Sequence, residues 1–203
     1  MKIKKLLFYL LAGLLGGCIP LSLHPLYTDK ELLFEEKLLG TWAENGNKWE
    51  FEEGSDPNSY DLTVADEGGK GEFAAHLVKI DDMLFLDLFP TGPELEINEF
   101  LAMHLLSVHT FMKIEQIEPK LQMRMMDLEK MGDMLENDPN LVKHEILEDC
   151  IVLTASPKEL QQFMKEHADD EGLFGEPSDL ERLELEEPNE PSDIDPNANN
   201  PNR

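Results

Sequence analysis

The sequence predicts a mainly β fold, an antiparallel barrel or strongly curved sheet of about eight strands with two short helices packed outside it. Three observations carry this expectation. Apolar and polar residues alternate with period two over much of 38–88 and 107–126, the mark of strands with one buried face. Helical periodicity appears late and briefly. At 203 residues and 41% hydrophobic, the chain is long enough for one compact domain with a real core.

Trp49 and Phe51 alternate with Lys48, Glu50 and Glu52, and Tyr60, Leu62 and Val64 alternate with Asp61, Thr63 and Ala65. Segments 72–80 and 83–89 follow as strands joined at Asp81-Asp82, where the tolerance of Asp for the left-handed region suits a tight hairpin. Pro90, Gly92 and Pro93 interrupt the pattern across 90–105, and strands resume at about 107–117 and 120–126, broken by Pro119. A helix is predicted over 127–137, with Leu128, Met131, Met134 and Leu135 on one side and Pro139 beyond its end. Strands follow near 143–147 and 150–154. Ser156, Pro157 and Glu159 then supply an N-cap, a proline at N1 and the glutamate of a capping box for a helix over 156–168. Its apolar face is Leu160, Phe163 and Met164. A last short strand falls near 180–185. From 186 to 203 the chain holds four Pro, five Asn and Ile194 as its lone large apolar residue, the composition of a disordered acidic tail.

The start of the chain reads as an address. Lys2, Lys4 and Lys5 precede an apolar run over 6–15 and then Leu15-Gly16-Gly17-Cys18, so residues 1–17 form a secretory signal with a small-residue cleavage site. About ten apolar residues are too few for a spanning helix, which needs roughly 20. The segment resembles the bacterial lipobox. That resemblance implies that Cys18 becomes the first mature residue and carries the lipid, palmitate included. It also implies a cell-envelope protein, with Ile19 rather than Asp pointing to the outer membrane, facing the periplasm. Residues 18–37 are unusually apolar for a tether, with Ile19, Leu21, Leu23, Leu26 and Tyr27 among them, and are expected to pack on a β domain spanning 38–185.

Charge narrows the partners. With 17 Lys plus Arg against 43 Asp plus Glu, the net charge of −26 excludes nucleic acid. Loss of residues 1–17 removes three lysines and no acid, so anionic lipid repels the body. Attachment must then come from buried hydrocarbon, worth about 0.8 kcal/mol per CH₂.

No glycine-rich phosphate loop, nucleophile elbow or paired-histidine metalloprotease helix is present, and no cofactor is expected. His104 and His109 are the candidate polar site. Five apart, they face opposite sides of a strand and lie about 140° apart on a helix, so a shared metal requires a looped segment and structural histidines are the default. Met123, Met126, Met131 and Met134 make two Met-x-x-Met spacings, which suit either core packing or a soft metal. Cys150 sits in an apolar run and reads as a buried thiol without a partner once Cys18 is acylated.

Two resemblances follow. Ser22-Leu23-His24-Pro25-Leu26-Tyr27-Thr28 after the lipobox, Leu39-Gly40-Thr41-Trp42, Ala75-His76-Leu77-Val78-Lys79, Leu84-Phe85-Leu86-Asp87, His109-Thr110-Phe111 and Ile151-Val152-Leu153-Thr154-Ala155 resemble an uncharacterised family of bacterial lipoproteins over about residues 18–182. That family brings no activity with it. Gly40-Thr41-Trp42 opening the first strand, with antiparallel strands and a late helix after it, is similar to the start of lipocalin-type barrels. The resemblance implies that Gly40 and Trp42 are structural and that Trp42 closes one barrel end beneath an arginine from a late strand, here Arg124 or Arg182. The function expected is a membrane-anchored, non-catalytic binding or structural module for a small apolar ligand or an envelope protein. The alternative is an envelope enzyme using His104, His109 and a nearby carboxylate.

Overall fold

The structure is a computed structural model that describes residues 19–92, 98–102, 104–147 and 150–183; Cys18, the signal segment and the tail at 186–203 lie outside them. In chain order the elements are β1 (Leu21–Ser22), β2 (Leu32–Leu33), a 3-10 turn (Glu36–Leu38), β3 (Gly40–Glu44), β4 (Asn47–Glu53), β5 (Ser59–Asp66), β6 (Gly69–Ile80) and β7 (Met83–Gly92). There follow α1 (Glu99–Ala102), β8 (Thr110–Gln116), β9 (Lys120–Met125), α2 (Leu128–Asn137), β10 (His144–Leu147), β11 (Cys150–Leu153), α3 (Pro157–His167) and β12 (Ser178–Arg182).

Strands β3 to β9 form an antiparallel meander, and β12 returns to lie between β9 and β3, which closes an eight-stranded barrel. Closure leaves the ring without a free edge. The hairpins are set by local chemistry: Asn45 and Gly46 both have positive φ between β3 and β4, and Asp81 does so between β6 and β7, where the aspartate pair was expected to turn the chain. The mainly β architecture and the two short external helices over 128–137 and 157–167 match the expectation from periodicity.

Two cores meet across the barrel wall. The interior holds Trp42, Phe51, Tyr60, Leu62, Leu77, Leu86, Met112, Leu121 and Met123, every second residue of successive strands in register. The outer core packs α2, α3 and the small sheet β1-β11-β10 against Val78, Ile80, Phe85 and Phe111 on the outside of β6 to β8. Strand β7 is therefore covered on both faces, which explains its run Met83-Leu84-Phe85-Leu86-Asp87-Leu88-Phe89 in place of simple alternation.

Residues 19–38 form a strap that runs from this second layer along β6 to the barrel interior, where Leu38 joins the inner core. β1 runs parallel to β11, and Ser22 exchanges backbone hydrogen bonds with His109 at the rim of the barrel. β2 pairs with Leu77 and Val78 of β6, beyond the point where β5 begins. Leu26 and Leu38 of the strap are fully buried.

Candidate functional site

One barrel end is closed by side chains of distant origin. Trp42 is fully buried and its indole Nε1 donates to the Leu38 carbonyl at 2.8 Å. Arg182, opposite Trp42 in the β12–β3 register, lays its guanidinium 4.2 Å from the indole centroid. It also donates through Nη1 to the Leu39 carbonyl at 2.7 Å and through Nη2 to the Lys37 carbonyl. Gly40 is demanded by its φ of +109°, and a Cβ there would also lie 2.9 Å from Arg182 Nη1 and displace the guanidinium from its place over Trp42. Arg124, the other candidate, instead bonds Glu115 and the Gly175 carbonyl.

The middle of the barrel is filled. Trp42, Phe51, Tyr60, Leu62, Leu77, Leu86, Leu121 and Met123 are all essentially solvent-free. At the opposite end, Val64, Phe73 and the glycines of the β5–β6 turn line an open depression of about 420 Å³.

The structure gives His104 and His109 different partners. His104 is exposed, its ring inclined at 60° to that of Phe100, with Nδ1 donating to the Phe100 carbonyl at 2.7 Å. His109 is buried and its Nδ1 donates to Asp87 Oδ1 at 2.6 Å. The second oxygen of Asp87 accepts from Leu26 N at 2.7 Å. Tyr27 packs against His76 with ring centroids 4.5 Å apart and planes inclined at 31°, both within the field of the same carboxylate. Burial, and then Asp87, push the Tyr27 hydroxyl up to about 12, while burial pulls His76 below its ordinary value against the opposing pull of Asp87 and Asp56. The sequence offered one hint of this cluster, an aspartate in the middle of an otherwise apolar strand. Both Asp87 oxygens are used in pinning the strap and His109 to the barrel wall.

The methionines divide between the cores: Met123 faces the barrel interior, whereas Met126 and Met131 belong to the outer core. Among the described residues, no group of three or more His, Cys, Asp or Glu is arranged to hold a metal.

A broad concave surface lies outside the barrel, a groove of about 760 Å³ between the end of β9, α2 and β10–β11. Its apolar lining includes Met125, Leu128, Ile146 and Ile151, and Ile146 is 60% exposed. Cys150, half-buried rather than the buried thiol expected because β11 lies at the groove wall, and Ile19 complete the wall. Asp127, Glu129, Glu136 and Glu176 rim it, without a lysine or arginine among the lining residues. Gly132 on α2 is part of the lining. A glycine inside a helix costs about 0.5–1 kcal/mol relative to alanine. No crowding explains it here, since a Cβ at 132 would meet nothing nearer than Ile151 Cδ1 at 4.0 Å. The missing side chain leaves the groove open, a signal legible in the sequence only as an unexplained mid-helix glycine.

No protein-family model, curated protein or solved structure matches the chain.

Proposed function

We propose that the protein is a bacterial envelope lipoprotein, held to the membrane through lipid on Cys18, and that its barrel is a non-catalytic binding module whose binding surface is the outer groove. The observation that carries this reading is the contrast between a barrel filled by its own side chains and an open, largely apolar groove whose wall begins at Ile19. A contiguous apolar surface rimmed by polar residues is the mark of an interaction site. The signal segment, the Gly16-Gly17-Cys18 motif and the outer-membrane preference at position 19 support the anchor. The Trp42–Arg182 closure supports a lipocalin-like barrel.

A second reading, an enzyme built on the Asp87–His109 pair, has one point in its favour, the 2.6 Å hydrogen bond. Neither Asp87 nor His109 lines the outer groove or the depression at the open barrel end. Cys18→Ser tests the anchor: the variant is expected to lose lipid by mass spectrometry and to keep residues 1–17. Normal processing of that variant with retention in the membrane fraction refutes the lipobox reading. Binding through the groove is tested by recovering the protein from native membranes and identifying what co-purifies with the parent and not with Gly132→Phe.

A further inference from the structure

We propose that the outer groove shelters an ester-linked acyl chain of the glyceride on Cys18 whenever the protein is in water, an inference that rests on the lipid-anchor reading above. Reach is the first argument. Ile19 lines the groove, Pro20 is buried and Leu21 is fixed in β1, so the described chain begins at the groove wall, and a lipid on the preceding residue is covalently joined to a groove residue. A chain hung there is tethered at the groove itself, and tethering gives it a high effective concentration even where free lipid would bind weakly.

Chemistry is the second. Met125, Leu128, Ile146 and Ile151 offer hydrocarbon to hydrocarbon. The carboxylates of Asp127, Glu129, Glu136 and Glu176 repel free fatty acids and anionic phospholipids, yet have no quarrel with an uncharged thioether-linked glyceride. The third argument is Gly132, whose missing side chain keeps the space free.

Cys150 reports occupancy. With Cys18 blocked by its thioether, Cys150 is the one remaining thiol of the chain, and it lies in the groove wall. Full-length protein from a lipidating bacterial host, its lipid verified by intact mass, is freed of detergent and treated with a small maleimide before and after lipase hydrolysis of the ester-linked chains. Lipidated protein is expected to react about tenfold more slowly, as a tethered chain in saturating occupancy would require. It is also expected to sediment as a monomer, whereas lipidated Gly132→Phe, with its groove plugged and its melting temperature preserved, forms lipid-linked oligomers. Equal labelling rates with lipid present, or a parent already oligomeric, overturn the proposal while leaving the anchor intact. An intact mass without lipid overturns both. Equal protection of Cys150 in both forms by a Lys- and Leu-rich amphipathic peptide assigns the groove to a basic partner segment instead and also overturns it.

Discussion

Gly40, Trp42 and Arg182 act as one unit at the closed end of the barrel. Truncating a buried aromatic to alanine costs roughly 3–5 kcal/mol, so Trp42→Ala should unfold at clearly lower denaturant, with Trp49 as the remaining fluorophore. An unchanged midpoint would move Trp42 from closure to contact. Gly40→Ala meets both a left-handed φ and the guanidinium, and a loss of about 1–3 kcal/mol is expected from strain of this kind. Arg182→Lys keeps the charge but cannot serve the carbonyls of Leu39 and Lys37 with a planar fork, so it should not behave as the parent in the same denaturation series. Near the strap, Asp87→Asn removes the carboxylate that accepts from both Leu26 N and His109, and about 1–3 kcal/mol should be lost.

Strap and helix each carry a pH signature. The Glu159 carboxyl is held down to about 2 by Lys143 first and then by Ser156, the capping partner of α3. Its folded value lies below its unfolded one, so this stabilisation is present above about pH 4.3 and drains away as pH falls toward 2. Glu159→Gln should flatten that part of an acid denaturation series while leaving the rest of the curve in place. Beneath the strap the direction for His76 is set by burial: the unfolded chain takes up a proton near pH 6.5 and the folded one does so only at lower pH. Stability should therefore fall as pH drops below about 6.5. Tyr27 sets the alkaline limit, because the unfolded phenol ionises near pH 10 and the folded one near 12, so stability falls across that interval. Urea midpoints measured from pH 5 to 11 should trace both declines, and His76→Phe with Tyr27→Phe should remove them.

At the scale of the whole molecule, all of the outer layer except the N-terminal strap lies between β9 and β12 in the chain and folds back over β6 to β8, so the connection between the last two barrel strands is itself a packed layer. The described body ends at Leu183, just past β12. Deleting 186–203 removes almost no apolar residue, and the melting temperature should change by no more than about a degree or two. A loss of cooperativity in the truncated chain would place part of the folded body beyond that boundary.

Element types and turns were legible because their causes are local. Alternation of one buried and one wet face wrote β4 and β5, the aspartate pair wrote the β6–β7 hairpin, and Ser156-Pro157-Lys158-Glu159 wrote the start of α3. Which distant faces meet has no local cause. Period and spacing left Arg124 and Arg182 equal until β12 docked on β3, left His109 without a partner until β7 brought Asp87 beside it, and left Gly132 as a weak point in a helix until β11 and Ile19 made it the floor of a groove. Those meetings are fixed by the register of strands far apart in the chain and by the packing of two cores on one barrel wall, energies that no window of sequence contains.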